Sequence, residues 1–418
     1  MNGWPVPADF AGPPDQAQLG AWDEADRAAR PDRVERLRAR FASAGVDAYF
    51  GVRREHMRYL TGFTLAEGEE KAAGHSGQFL VTLDQIVVLA DSRYTIQASR
   101  EAPDARLFEA YGDFPARWPD LAASVGAKRI AVEAGFVSHA AWQRYAAAAP
   151  DVELVPVEGW LEADRATKEP AELERVVAAC AVADRALAAL LPEIRPGVTE
   201  ATLALRLEWL MRTSGAEALA FDVACLGGPE AALPHGAPGH RPVVDGQVLL
   251  FDFGAQVAGY RSDMTRTLFV GDPTARDQDV YELVATAQSA AIEAIEAAVN
   301  SGGEASSDLP SGRTIDRVAR DVIANAGHGD HFGHSLGHGI GLATHEAPSL
   351  SRTASDDPLP SPTVFSVEPG VYLDGEMGVR IEDLVALDAF AGKVERVTRF
   401  PREMLVVGAG NGTKRTLG

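Results

Sequence analysis

Acidic residues interrupt apolar, strand-like runs in the second half of this chain, and any fold must provide partners for them. Asp252 stands in V-L-L-F-D-F-G, Glu368 in V-F-S-V-E-P-G and Glu382 in G-V-R-I-E-D-L-V. Burial of a carboxylate without a partner is energetically expensive. These runs therefore predict either buried acids that share cations or protons, or strands whose acids lie at the surface.

Asp263 follows Asp252 across a glycine-containing bend. If the two flanking runs form an antiparallel hairpin centred between Val257 and Ala258, opposed residue numbers add up to 252 + 263 = 515, and Asp252 faces Asp263. Two carboxylates placed so close repel each other unless a cation or a proton lies between them. A slip in register would instead leave one carboxylate inside and the other outside.

The last acidic run places an arginine near its glutamate. Because strand side chains alternate between faces, Arg380 and Glu382 are predicted to share one face while Asp383 points to the other. The alternative is an Arg–Glu pair at the surface of an edge strand.

Histidines are concentrated in one segment of the chain. Of ten histidines, five lie within 18 consecutive residues: His328, His331, His334, His338 and His345. The glycines between them disfavour a helix interior. This composition favours a strand or turn that carries one metal ligand and several imidazoles facing a substrate, and the alternative is a solvated histidine-rich loop.

The charges of these segments suggest a dinuclear metal site. Asp252, Asp263, Glu368 and Glu382 carry four negative charges, which two divalent cations balance if the histidine ligand is neutral. Ligands that are mainly oxygen favour Mn²⁺, and Co²⁺, Zn²⁺ and Fe²⁺ also fit. Two such ions could activate a water and polarise a carbonyl.

The order of patterns along the 418 residues predicts two domains. Residues 1–30, with four prolines, are predicted to form an irregular leader. Strand and helix patterns alternate through 31–160, which indicates an α/β domain. A charged bridge at 160–175 follows, and the pattern over 161–418 is α+β.

Composition excludes several classes of partner. Lys and Arg number 39 against 60 Asp and Glu, a net charge of −21, which argues against nucleic acid and against an anionic membrane. The two cysteines, Cys180 and Cys225, lie in apolar surroundings and predict buried thiols in a reducing compartment. No run approaches the roughly 18 apolar residues of a spanning helix, and the start lacks a secretory signal, so we expect a cytoplasmic protein.

With these motifs the chain resembles the pita-bread metallopeptidases, in particular the branch of Xaa-Pro aminopeptidases and Xaa-Pro dipeptidases (prolidases). H-S-L-G-H-G-I-G-L-A-T-H-E at 334–346 fits that branch's signature at nearly every position, and D-F-G, S-D-M-T-R, V-E-P-G and R-I-E-D occur in the family's order and spacing. D-S-R-Y-T-I-Q-A at 91–98 resembles the amino-terminal domain of these aminopeptidases. The resemblance covers most of 160–407. It implies a creatinase-like α/β domain over 31–160 and an α+β pita-bread catalytic domain over 161–418.

The resemblance also implies roles for individual residues. Glu368 would move the proton of the nucleophilic water, His235 and His345 would stabilise the developing oxyanion, and His334 and Arg380 would contact the substrate or support the ligands. It further implies a homodimer whose N-terminal domains help to close the pocket. Of the implied metal ligands, Asp263 and Glu382 would bridge both ions. The full set of implied ligands is Asp252, Asp263, His338, Glu368 and Glu382.

Two positions depart from the family's pattern. Thr344 stands where the signature prefers Val or Ile, which is a small change in packing. Glu230 stands where relatives often carry Asn before the Pro-His pair, and its charge could repel or recruit a group of the substrate.

The main functional prediction is an Xaa-Pro aminopeptidase, which hydrolyses the bond between an N-terminal residue and a following proline. Its substrate partner is a peptide with proline at the second position. A prolidase limited to Xaa-Pro dipeptides is the alternative, and a non-peptide hydrolase or lyase on the same scaffold is a further one. A catalytically inactive binding protein is disfavoured because all five ligand positions are filled.

Overall fold

The computed structural model describes residues 12–66, 74–301, 309–408 and 415–417. The described residues divide into two compact units, one of 17–164 and one that begins at 165, and residues 12–16 belong to the second. The division falls within the charged bridge at 160–175.

The N-terminal unit is built on one mixed six-stranded sheet in the order β4-β3-β2-β1-β5-β6. Strands β1 and β2 and strands β2 and β3 are antiparallel, and the other neighbours are parallel. Its elements are α1 (Gln16–Arg38), α2 (Phe41–Ala44), β1 (Ala48–Gly51), α3 (Arg54–Thr61), β2 (Phe79–Thr82), β3 (Ile86–Ala90), α4 (Thr95–Glu101), β4 (Arg106–Glu109), α5 (Phe114–Val125), β5 (Arg129–Glu133), α6 (His139–Ala148), β6 (Glu153–Val157) and α7 (Trp160–Ala166).

The predicted irregular leader is wrong for its second half, because helix α1 begins at Gln16. From Gln16 to Arg30 the chain contains no proline and is rich in alanine, a strong helix former. Trp22 is buried and anchors this part of the helix to the unit. Residues 1–11 of the predicted leader lie outside the described residues.

Over its described residues, the second unit contains several sheets and four long helices. Its elements are α8 (Pro170–Leu190), α9 (Glu200–Thr213), β7 (Ala218–Leu219), β8 (Ala224–Gly227), β9 (Gln247–Phe253), β10 (Ala255–Val257), β11 (Tyr260–Arg261), β12 (Met264–Val270), α10 (Ala275–Asn300), α11 (Gly312–Asn325), β13 (Gly337–Gly339), β14 (Glu346–Leu350), β15 (Thr363–Val367), β16 (Gly370–Leu373), β17 (Met377–Arg380), β18 (Asp383–Asp388), β19 (Lys393–Arg396), β20 (Met404–Val407) and β21 (Arg415–Leu417).

Two five-stranded sheets position the acidic residues of this unit. Their orders are β21-β20-β12-β9-β8 and β14-β13-β15-β18-β19, and β16 and β17 form a separate ribbon. Helices α10 and α11 pack their apolar faces into the same core as these strands. Helix α8 begins with Pro170 in its first turn and a capping box of Glu169 and Glu172.

None of the helices over the described ranges combines the length and the apolar composition that a membrane crossing requires.

Candidate metal centre

The hairpin of β9 and β12 carries the first two candidate ligands, but its register differs from the prediction. Asp252 is paired with Thr265 rather than with Asp263. The turn falls at Ala258 and Gly259, which both have positive φ, so the bend lies one residue later than expected. Moving the bend by one residue shifts the pairing by two, and a shift of two keeps Asp252 and Asp263 on the same face.

His338 stands in the short strand β13, so the histidine-rich segment forms strand and turn here rather than helix. The Nδ1 atom of His338 lies 3.0 Å from the carbonyl oxygen of Gly339, to which it donates. The Nε2 atom therefore faces the carboxylates, 3.3 Å from Oε1 of Glu368 and 3.7 Å from Oδ2 of Asp263. Neutral imidazole would present a lone pair to two anions, an arrangement that requires a proton or a cation between them.

Arg380 and Glu382 share a face as predicted, and both contact the hydroxyl of Thr265. This hydroxyl donates to Oε2 of Glu382 at 2.6 Å and accepts from Nε of Arg380 at 2.8 Å. Both side chains are buried, so the surface Arg–Glu pair is excluded. Asp383 points to the other side, where it pairs with Arg266.

Arg380 also connects two other parts of the site. Its guanidinium donates to Oδ2 of Asp252 at 2.6 Å and to the hydroxyl of Tyr372 at 2.8 Å. Nδ1 of His334 donates to the carbonyl oxygen of Ser335, and Nε2 accepts from the Tyr372 hydroxyl at 2.9 Å. A continuous chain of hydrogen bonds thus runs from Asp252 to His334.

The two histidines expected near the substrate lie at the exposed side of the site. The ring of His345 lies 4.2 Å from the ring of His338, centroid to centroid. His235 is exposed and lies within electrostatic range of Asp252 and of His345.

The donor set fits divalent cations. Ligand atoms of Asp263, His338 and Glu382 all lie within 4.8 Å of one another. Among the described residues, Oδ1 of Asp252 and Oε1 of Glu382 are buried without a hydrogen-bond partner. Buried carboxylate oxygens that accept nothing are costly, and a cation that they coordinate would remove this cost.

The electrostatics of the site show how strongly it attracts positive charge. Burial raises the pKa of Asp263 well above its usual range, and the nearby carboxylates of Glu382 and Asp252 add to the rise. Burial likewise raises the pKa of Glu382, and Glu368 adds to this rise. Burial disfavours the protonated form of His338, but the hydrogen bond and the negative charge of Glu368 outweigh burial and raise the pKa of His338 to about 9. The carboxylates of this site repel one another, and a divalent cation between them would stabilise their ionised forms.

Sequence reasoning missed Thr265 and Tyr372. Period-two alternation from Asp263 along β12 points to Thr265, so this signal could have found it. Tyr372 lies in the quoted V-E-P-G-V-Y run, but no local pattern indicates that its hydroxyl reaches both Arg380 and His334.

The two departures from the signature have partners in the structure. The buried Thr344 hydroxyl donates to the carbonyl oxygen of Ala220 at 3.0 Å and accepts from Arg261 at 2.9 Å. Glu230 lies 3.6 Å from the guanidinium of Arg241, so part of its charge is compensated.

Comparison with known proteins assigns the chain to a family. Residues 174–389 match metallopeptidase family M24, and residues 33–167 match the creatinase/prolidase N-terminal domain. The Xaa-Pro dipeptidase of Pyrococcus furiosus is 37% identical over 241 residues, which cover 58% of this chain and 65% of that protein.

Solved structures agree over most of the chain. The Xaa-Pro dipeptidase from Bacillus anthracis superposes with a TM-score of 0.80 at 31% identity, covering 90% of this chain and 100% of that one. The X-Pro aminopeptidase from Thermotoga maritima superposes with a TM-score of 0.76 at 34% identity, with the same coverage. The chain therefore belongs to metallopeptidase family M24, with a creatinase/prolidase-type N-terminal domain ahead of a catalytic domain of the pita-bread fold.

Proposed function

We propose that this chain is an Xaa-Pro dipeptidase, a prolidase that hydrolyses the single peptide bond of Xaa-Pro dipeptides at a dinuclear metal centre. The observation that carries the proposal is the convergence of four acidic side chains and one imidazole, with buried oxygens of Asp252 and Glu382 that have no partner among the described residues. Similarity to the Xaa-Pro dipeptidases of Pyrococcus furiosus and Bacillus anthracis supports the dipeptidase over the aminopeptidase that the sequence indicated first.

The residues that would hold the metal ions are the five candidate ligands. Their donors are mainly carboxylate oxygens, a set that suits Mn²⁺ and also admits Co²⁺, Zn²⁺ or Fe²⁺. When bound, two divalent cations lower the pKa of a water and polarise the scissile carbonyl. The five residues are Asp252, Asp263, His338, Glu368 and Glu382.

Glu368 is the proposed general base. Burial opposes its charge, but the hydrogen bond and the positive charge of His338 lower its pKa to about 2, so the carboxylate is ionised at neutral pH. The hydroxyl of Ser366 donates to its Oε1 at 2.9 Å and orients the group. The carboxylate can accept a proton from the attacking water and pass it to the leaving nitrogen of proline.

His345 and His235 are the proposed donors to the oxyanion that develops on the scissile carbonyl. Burial lowers the pKa of His345, and the neighbouring His338 lowers it further, so the ring is neutral at pH 7 and can donate one N–H. Arg380 and Tyr372 are proposed positioning residues. Arg380 donates to Asp252 and to the Tyr372 hydroxyl, and this hydroxyl donates to His334.

The test compares two substrate classes on protein that has been stripped with a chelator and reloaded with Mn²⁺. Xaa-Pro dipeptides should be cleaved, Xaa-Pro-Xaa tripeptides should not, and the stripped protein should be inactive. His338→Ala should lose bound metal and activity together. His328→Ala is the matched control, because His328 belongs to the same segment but contacts His331 outside the site.

The outcomes separate the candidates. Cleavage of both substrate classes would favour the second candidate, an Xaa-Pro aminopeptidase, which similarity to the Thermotoga maritima enzyme supports. Cleavage of neither class by protein that binds metal would refute the peptidase proposal and make non-peptide substrates the next screen.

A further inference from the structure

A cavity in the N-terminal unit, remote in sequence from the metal centre, is lined almost entirely by charged side chains. Seven of its nine lining residues are charged, and four of these are arginines: Arg27 and Arg30 from α1, Arg58 from α3 and Arg100 from α4. Its volume of about 310 Å³ lies at the lower end of the range for small-molecule sites. This lining excludes an apolar ligand.

Arg30 is seated at the centre of this cluster. Its guanidinium packs against Gly62, which has a positive φ of 81° and where any Cβ would overlap the guanidinium. The Nε atom of Arg30 is buried and has no acceptor among the described residues. A buried N–H group without an acceptor is costly, so the described residues leave this guanidinium incompletely satisfied.

The cavity lining contains three carboxylates, those of the exposed Asp23, of Asp26 and of Glu101, and the last two already accept hydrogen bonds. Oδ1 of Asp26 already accepts from Arg33 at 3.0 Å, and Oε2 of Glu101 accepts from the backbone and the hydroxyl of Thr64. Within the described residues, neither Arg27 nor Arg100 forms an ion pair or a side-chain hydrogen bond. The lining therefore holds four guanidinium groups against three carboxylates, and the donors of Arg27 and Arg100 are available to a ligand.

This concentration of positive charge stands out against the rest of the chain. The net charge of the whole chain is −21, yet arginine recurs every third residue at 27, 30, 33 and 36 of α1. Burial lowers the pKa of Arg30, and Arg33 and Arg27 lower it further, although Asp26 opposes this. A bound anion would relieve the repulsion among these cations.

Part of the cavity lies outside the region that matches known domains. The creatinase/prolidase N-terminal match begins at residue 33, whereas Arg27 and Arg30 belong to the preceding part of α1. A second cavity shares these two arginines and adds the apolar side chains of Val34, Leu60 and Ile86. The same cavity is also lined by the charged side chains of Glu35, Arg38, Asp84 and Asp104, so charged side chains line both cavities.

We infer that this cavity binds a small phosphorylated molecule, with its phosphate among Arg27, Arg30, Arg58 and Arg100. A phosphate presents three acceptor oxygens and up to two negative charges, and guanidinium groups pair with it in a bidentate manner. A carboxylate offers two oxygens and one charge, which satisfies fewer of these donors.

The test uses inorganic phosphate as the probe on the full-length, metal-loaded protein at constant ionic strength. Calorimetry should show saturable binding, and hydrogen–deuterium exchange should slow in α1, α3 and α4. The double variant Arg27→Gln/Arg100→Gln changes two exposed side chains and should fold normally. Its phosphate affinity should fall at least tenfold, because each charge-assisted hydrogen bond is worth about that factor.

Arg144→Gln is the matched control. Arg144 is an exposed arginine of the same unit that pairs with Asp113, outside the cavity, and its loss should leave phosphate binding unchanged. Phosphate that binds at the metal centre would persist in the double variant and would protect strands of the second unit. Unchanged affinity in the double variant, absence of saturable binding, or equal binding of acetate would each overturn the inference.

Discussion

Replacement of Glu346 by glutamine should destabilise the catalytic unit by about 3–5 kcal/mol, the usual effect of removing one partner from a buried ion cluster. The Glu346 side chain is 3% exposed and pairs with Arg165 and Lys168, which are 2% and 1% exposed. The ammonium of Lys168 lies 2.9 Å from Oε1 of Glu346. Glutamine retains the shape of the side chain but removes the negative charge that both buried cations contact.

The assay is urea unfolding of metal-stripped protein, because bound metal would add its own stabilisation. Free energies follow from linear extrapolation, and two spectroscopic probes establish whether the two units unfold together. The control is Glu193→Gln. Glu193 pairs with Arg206 at 2.9 Å, but the two side chains are 41% and 37% exposed, so this variant should lose only about 0–1 kcal/mol.

A loss in Glu346→Gln that matches the loss in Glu193→Gln would refute the reasoning. That result would mean that water reaches the buried cations and replaces the lost carboxylate. Adding Lys168→Met to Glu346→Gln provides a second check. Removal of one buried cation should make the double variant more stable to urea than Glu346→Gln alone. Because Glu346 follows His345 directly, Glu346→Gln should also lower peptidase activity.

Three further predictions concern single groups. Thr344→Val removes a buried hydroxyl that donates to Ala220 and accepts from Arg261, so the free energy of unfolding in urea should fall by about 1–3 kcal/mol, while Thr344→Ser should retain it. Burial raises the pKa of both Cys180 and Cys225, so a thiol reagent such as dithionitrobenzoate should label neither in the native protein and both in denaturant. Burial opposes the charge of Glu346, but its two cationic partners outweigh this and lower its pKa below the ordinary 4.5. Stability should therefore fall as the pH drops below 4.5 through the folded-state pKa, and urea midpoints over a pH series should show a smaller fall in Glu346→Gln.

Local patterns in the sequence determined much of this protein. Period-two alternation placed Arg380 and Glu382 on one face, and both meet the hydroxyl of Thr265. The glycines around His338 disfavoured a helix in this segment, and His338 lies in the strand β13. Acids inside apolar runs indicated a shared cation site, because the cost of a buried carboxylate is a property of the residue and not of the fold.

Only the tertiary structure decided the register of the hairpin and the links between distant segments. The position of the turn depends on Ala258 and Gly259 adopting left-handed conformations, and apolar alternation is equally consistent with a bend one residue earlier. The contact of Tyr372 with His334 joins residues 38 positions apart, so no local pattern encodes it. Sequence periodicity reports which face a side chain occupies, whereas the partner that it meets depends on how separate elements pack.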